Sequence, residues 1–462
     1  MPFDNEVIFI KYLICSNLQG QKKSIKIFKF ICTMKKFLLF AMIASIGLGL
    51  FSCSKDEVNP IDEGNVDIPD QFSELTVEQN KTELEKNGQE LLTDLDGMKD
   101  LPVIDVTSAF NDFTAISEPQ TGGRIIESTT GFDEQASVGD VFTSMRSLED
   151  EFTSLQQLFD EYAGTYTWNT STETWDFVAN SEKVEFLFPG TSTGTTNDAK
   201  ILIHSYTSIT GPNPLGEDYT GDLPTQVKVD VTYQNENILA YAFNASYNDN
   251  GEPTSMNTSL TMSPYSFEVN MTNTLSQASA KYTLTKSGSI LISMGAGAEG
   301  QFTEAAYEEN YGEGVVNTAN AFFRLKDITL AGNVNVANIE TGLDEIYADE
   351  ADENHDSDEA LNQEVKLYND NFQLVAFYNS SKSKIAESEF YSWEKEETYD
   401  SGYFDENGNW VDHSYTIHET HIDLRLIFSD GSKSDMETYF NTGFEDITTD
   451  LEAFFEDLEN QL

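Results

Sequence analysis

Apolar positions along the chain follow two rhythms. Leu84, Leu91, Leu95 and Met98 recur at helical spacing behind Thr76-Val77-Glu78-Gln79, which has the form of a capping box. This predicts an amphipathic helix over residues 76–98. A shorter helix is expected around Ser108–Ile116. A longer one is expected from about Val138 to Tyr162, with Phe142, Met145, Leu148, Phe152, Leu155, Phe159 and Tyr162 on one face. The chain closes on a further stripe, Phe444, Ile447, Leu451, Phe454, Leu458 and Leu462, with acids on the opposite face.

At Gly164 the period drops to two. Tyr166/Trp168 and Trp175/Phe177 flank a polar turn and read as a hairpin, and Val184–Phe188 and Lys200–Thr207 read as strands. Val227, Val229, Val231 and Tyr233 alternate, as do Leu239, Tyr241, Phe243 and Ala245. Further alternating runs lie near 256–274 and 280–293, after a turn at Asn250-Gly251. Phe322–Val336, Phe372–Phe377, Ile385–Trp393, His413–Phe428 and Lys433–Phe440 read as strands, with turns at Asn407-Gly408 and Asp430-Gly431. Thr341–Asn371 reads as partly helical. Strands joined by short turns, without helices between them, imply antiparallel pairing.

The fold class expected is therefore α+β. One large, mostly antiparallel sheet, curved or half-barrel, carries amphipathic helices from the N- and C-terminal ends. About 390 ordered residues exceed the roughly 250–300 at which one core stops growing. Two lobes, or one long sheet with helices on one face, would satisfy that limit. In the order of its elements the chain is similar to the half-open barrels of periplasmic lipoprotein carriers. That resemblance implies an apolar or lipid ligand.

The first residues carry a different signal. Met34-Lys35-Lys36 is a short positive segment, and Phe37 to Leu50 is an apolar run of 14 residues. That is shorter than the roughly 20 residues a membrane span needs and has the build of a secretory signal. Leu50-Phe51-Ser52-Cys53 resembles a bacterial lipobox, and Ser54-Lys55-Asp56-Glu57 resembles the acidic export tag of surface lipoproteins in Bacteroidetes-type bacteria. The resemblance implies cleavage before Cys53, acylation of Cys53, and an outer-membrane, surface-exposed location. Residues 1–33 fit no part of this scheme, and translation is expected to begin at Met34. The organisation expected is a leader at 1–33, a signal at 34–52, an acidic tether at 53–70, a helical segment at 71–163, a β region at 164–336 and a mixed region at 337–462.

Charge sharpens this picture. The chain has 26 basic and 80 acidic residues, a formal net charge of −54. Residues 1–52 hold seven lysines and two acids, so the chain from Cys53 keeps 19 basic groups and 78 acids, a net −59. No basic footprint for nucleic acid exists, and membrane contact is expected through acyl chains rather than charge. With 39% apolar and 12% aromatic residues, the chain is too hydrophobic for a disordered polyanion. The three cysteines are Cys15, Cys32 and Cys53, so nothing after Cys53 can form an intrachain disulfide.

Several motifs bear on chemistry. Gly190-Thr191-Ser192-Thr193-Gly194 satisfies G-x-S-x-G, but a nucleophile elbow needs a helix after the Ser, and a strand follows. Gly295-Ala296-Gly297-Ala298-Glu299-Gly300 satisfies G-x-G-x-x-G outside any βαβ unit and reads as a flexible turn. His413, His418 and His421 are candidate metal ligands, although a strand spreads 413 and 421 over roughly 26 Å. Asp352, Asn354, Asp356 and Asp358 stand in an EF-hand-like register. Ser357 and Gln363 replace the Gly and Glu that a tight site requires, so at most loosely bound calcium is expected. No other cofactor is expected. Trp168, Trp175, Trp393 and Trp410 are candidate platforms for stacking a glycan. No catalytic residue is recognisable. The function expected is a non-enzymatic binding or structural module of the cell envelope. The alternatives are a half-barrel carrier of an apolar ligand and a carbohydrate-active enzyme or glycan binder.

Overall fold

The computed structural model describes residues 67–116, 159–160, 163–210, 222–249, 251, 253–303, 306, 314–348, 357–404, 410–436 and 439. Of residues 397–404, 410–415 and 417–419 only the backbone is described. The leader, the signal, Cys53 and most of the tether therefore lie outside the described residues. So do the Val138–Tyr162 helix (apart from Phe159 and Asp160), Asp352, Asn354, Asp356 and the terminal stripe.

Two helices come first, α1 (Val77–Asp96) and α2 (Pro102–Ile116). The Thr76 hydroxyl accepts from the Gln79 N–H, and the Gln79 side chain accepts from the Thr76 N–H, so the expected capping box is closed. Twelve strands follow: β1 (Gly164–Asn169), β2 (Thr174–Ala179), β3 (Val184–Phe188), β4 (Ala199–Thr210), β5 (Asp222–Tyr233), β6 (Glu236–Tyr247), β7 (Pro253–Met262), β8 (Tyr265–Asn273), β9 (Gln277–Lys286), β10 (Ser289–Gly300), β11 (Val316–Leu325) and β12 (Ile328–Asn335). Helices α3 (Val336–Tyr347) and α4 (Ser357–Asn371) interrupt the series. Then come β13 (Phe372–Tyr378), β14 (Ser383–Phe404), β15 (Trp410–Phe428) and β16 (Lys433–Asp435).

All sixteen strands form one open sheet in the order β16 to β3, then β1 and β2. Pairing of β12 with β13 joins the two strand-rich stretches, so one long sheet, not two lobes, carries the fold. Every pairing is antiparallel except β1 with β3, because β2 folds back on the outer side of β1. Two-residue turns at Gln234-Asn235 and Ser287-Gly288 place both central residues at positive φ, matching the twist of the strands they join.

Two stretches depart from the sequence reading. The Gly295–Gly300 segment is not a turn but the second half of β10, held by β9 on one side and β11 on the other. Two complete ladders outweigh the weak strand preference of Gly and Ala. The strand expected over Lys433–Phe440 stops at Asp435, and Met436 and Tyr439 are helical. Tyr439 turns its ring onto Phe428 in the core, which an extended continuation would not allow.

Helix α1 runs across the strands. The Asn80 Oδ1 accepts from the Tyr378 hydroxyl of β13 at 2.9 Å, and Asp94 meets the β8 and β9 termini. Those fourteen residues span about 21 Å of helix. Five strand intervals span about 24 Å, so the helix axis lies nearly perpendicular to the strands. Its Leu91 and Leu95, together with Met98, bury against Tyr265, Phe267, Val269, Leu284 and Leu291. Helix α2 continues over β1–β5, where Phe110 and Phe113 meet Trp168, Phe186 and Phe188. No described helix is long and apolar enough to cross a membrane.

Candidate binding face

The face of the sheet that bears α1 and α2 can be read row by row from the strand register. Nearest the helices one row runs Val229, Tyr241, Leu260, Phe267, Leu284, Ile292 and Leu325. The next contains Phe243, Thr258, Val269, Tyr282, Met294 and Phe323. Of these, the β8–β11 side chains, with Leu260 of β7, pack into one cluster with Leu91 and Leu95 of α1. One step further along the strands the texture changes. Met256 and Met271 lead into Ala280, Ala296, Ala321 and Gly332. The following row brings Ala278, Ala298 and Ala319 together. Ala296 and Ala321 are exposed to solvent, although they share a face with Met294 and Phe323. The far side is bounded by Leu374 and Phe372 of β13. There Tyr368 of α4 and Phe372 both meet the Phe390 ring of β14.

Thr258 is a polar residue among the large side chains of the second row. It is 3% exposed, it lies in register between Phe243 and Val269, and its Oγ1 has no hydrogen-bond partner among the described residues. Burial also pushes the nearby Tyr241 hydroxyl up to about 12 and raises that of Tyr282. The face is aromatic and uncharged in these two rows.

Charge is concentrated where α1 meets the turns. The Asp94 carboxylate accepts from Lys326 Nζ at 2.7 Å and Lys286 Nζ at 3.2 Å, while its backbone carbonyl accepts from the Tyr265 hydroxyl at 2.5 Å. Burial alone would raise the Asp94 carboxyl, but the two lysine hydrogen bonds outweigh it and hold it below the usual range. The outer face has two comparable hubs. Asp230 pairs with His204 and lies 3.7 Å from Lys228 Nζ. Glu389 binds Arg425 and Lys433, each at 2.7 Å, and the Lys433 bond is the main reason its carboxyl sits low.

The sequence candidates scatter over this frame. Ser192 occupies a loop between β3 and β4, where its hydroxyl donates to Asp112 of α2 at 2.5 Å. His204 points to Asp230 on the other face of the sheet, so Ser and His do not form a nucleophile–base pair. His413, His418 and His421 all lie on β15, opposite Ser401, Glu396 and Trp393 of β14. Strand alternation puts His418 on the face opposite the other two. Among the described residues no three His, Cys, Asp or Glu side chains are grouped to hold a metal. The backbone of Asp358 lies in the first turn of α4, and the other three residues of that acidic register are outside the description.

Trp168 is 4% exposed and packs on Phe113, and Trp175 meets Phe110 and Phe186 edge-on. Trp168 is therefore core, and Trp175 is partly buried against the same cluster. Trp393 is 39% exposed and lies against the His421 ring at 5.2 Å. The Trp410 side chain is outside the description. Sequence reasoning missed the alanine floor and Thr258. Alternation marks a strand's inner face, but only register shows that the alanines of three strands coincide.

No family model, no curated protein and no solved structure matches this chain. Function rests on the chain's own residues.

Proposed function

We propose that the chain is a lipid-anchored, non-enzymatic binding module of the bacterial cell envelope, tethered through Cys53 and presenting the helix-bearing sheet face to its ligand. The observation that carries the binding role is the open half of that face. Three central strands there replace interlocking side chains with alanines, and Ala296 and Ala321 meet solvent. Support for a non-enzymatic role comes from the polar groups. Ser192 is tied to Asp112, and His204 to Asp230 on the outer face, so this serine and this histidine do not converge among the described residues. Support for the anchor comes from Leu50-Phe51-Ser52-Cys53 behind an apolar segment too short to span.

The anchor is tested by metabolic acyl labelling of wild-type cells against Cys53→Ala. The expected result is label and membrane retention in the wild type alone. A membrane-bound Cys53→Ala product of mature size would overturn it. Protease shaving of intact cells tests surface display, and survival of the chain would place it inward.

A glycan-binding reading is favoured by one observation, the exposed Trp393 ring beside His421. A glycan array on the wild type and on Trp393→Ala decides it. A signal lost in the variant supports glycan contact, and an empty array removes it.

A further inference from the structure

We propose that the long hairpin of β14 and β15 joins two copies of this chain, edge to edge through β15, in one antiparallel four-stranded ribbon. The inference stands apart from the anchor and from the helix-bearing face.

The hairpin outgrows the sheet. Strand β13 reaches β14 only at Ser383–Glu387, and β16 reaches β15 only at Arg425–Ile427. From Phe390 opposite Leu424 to Phe404 opposite Trp410, the two strands pair with each other and with no other described strand. That stretch extends about 50 Å. A two-stranded ribbon is marginal in water by itself, and a long edge is a template for a further strand.

The two edges of the ribbon are finished differently. On β14 the Asn369 side chain of α4 stands in for a neighbouring strand. Its Nδ2 donates to the Phe390 carbonyl at 3.0 Å, and its Oδ1 accepts from the Phe390 N–H at 2.7 Å. Glu394, Lys395 and Glu396 follow, exposed and charged, as on edges that resist pairing. Strand β15 carries no such run. Between Trp410 and Ile422 its only acids are Asp412 and Glu419, and it has no Lys or Arg there. The Phe428 N–H donates to the Ser432 carbonyl, on the side away from β14. The register with β14 is unbroken, so every second residue back to Trp410 turns its N–H and C=O the same way. Thr416 and Thr420 belong to this set, and both are exposed.

This edge is complementary to itself. With a two-fold axis at Thr416, an antiparallel second copy sets Thr416 opposite Thr416, Asp412 opposite Thr420 and Ser414 opposite His418. These are the hydrogen-bonded pairs, and the pairs between them bring side chains closer. There Tyr415 meets the second copy's Ile417, an aromatic and β-branched pair, and His413 offers a ring N–H to its Glu419. No acid stands opposite an acid. Residues Trp410–Ile422 of each copy take part, an overlap of about 44 Å. The acidic β14 strands end on the outer sides of the ribbon, about 14 Å apart, beyond the roughly 8 Å screening length of physiological salt.

The test uses the full chain with Cys15, Cys32 and Cys53 each changed to Ala, so that an added cysteine is the only thiol. Residues of a hydrogen-bonded pair lie about 5.5 Å apart between Cα atoms, within reach of a disulfide. After mild oxidation, non-reducing electrophoresis should show Thr416→Cys linked to its own copy. Asp412→Cys and Thr420→Cys should each stay single alone, because each lies about 27 Å from its own counterpart, and they should link when mixed. Adding Thr416→Lys to both chains of that mixture sets two ammonium groups face to face and should lower the yield about tenfold or more. Thr416→Ser in the same place should leave the yield as it was.

A Thr416→Cys chain that stays single overturns the proposal. So does a mixture of Asp412→Cys and Thr420→Cys that links no better than either chain alone, and so does a yield that Thr416→Lys leaves unchanged.

Discussion

Along β10, Ile292 and Met294 face α1 and pack into its core, whereas Ala296 and Ala298 are the next two positions on the same face and Ala296 lies open. Strand β11 repeats the change, from Leu325 and Phe323 to Ala321 and Ala319. One backbone therefore serves two purposes. Near the turns it supplies the side chains that hold a crossing helix, and beyond them it holds a surface clear. From Ile292 to Ala298 the register is unbroken on both sides of β10, so the difference there lies in side-chain volume and not in strand geometry. The first half should set stability, and the second should be nearly silent in it.

The hardest test of that division is a core truncation. Leu91 and Leu95 are 0% exposed beneath α1. Leu95→Ala should cost about 2–5 kcal/mol, through lost transfer energy and the cavity left behind. Urea denaturation followed by circular dichroism checks it. A cost below about 1 kcal/mol would mean that α1 is not what holds this face together.

Smaller effects are expected from the polar links between α1 and the strand ends. In Asn80→Ala the buried Tyr378 hydroxyl loses the acceptor that lies 2.9 Å away, which should cost about 1–3 kcal/mol. The double variant with Tyr378→Phe should recover part of the loss, because neither group is then stranded. Additive losses would show that the two residues act apart.

Asp94→Asn should cost about 1 kcal/mol at neutral pH, since its carboxylate is 30% exposed and screened. The sign with pH follows from its lowered folded value. The contribution is fully present above the ordinary carboxylate pKa, near 3.9, and is lost as pH falls through the folded value. The variant's acid unfolding limb should therefore be shallower than the parent's. Parallel limbs would mean that Lys286 and Lys326 do not depend on Asp94.

These links also show what a sequence can reveal. Helix α1 was legible because Leu84, Leu91, Leu95 and the Thr76–Gln79 box are local signals of period and cap. Most strands were legible because alternation is local too, as at Val184–Phe188. The glycine-rich half of β10 was not, since only its neighbours β9 and β11 decide its state. The parallel pairing of β1 with β3 was missed for the same reason, as nothing within either strand specifies it. Lys326 and Asp94 lie 232 residues apart. The alanine floor was least legible of all. Alanine is unremarkable in a helix or a strand, and its meaning here appears only when register aligns three strands.

The smallest predicted effect is the sharpest test of the comparison. Ala321 lies on a central strand, on the same face as Phe323, yet it is exposed. In a packed core an added pair of methyls would force strain of about 1–3 kcal/mol. On an open floor Ala321→Val has room, and valine's preference for a pleated strand favours it slightly. The expected change is within about 0.5 kcal/mol, leaning toward stabilisation. Thermal melts of the chain without ligand measure it. If Ala321→Val costs as much as an overpacked core substitution, the space above the floor is already filled. The two halves would then be one core, and the small residues would be there to admit a close-packed neighbour rather than a ligand.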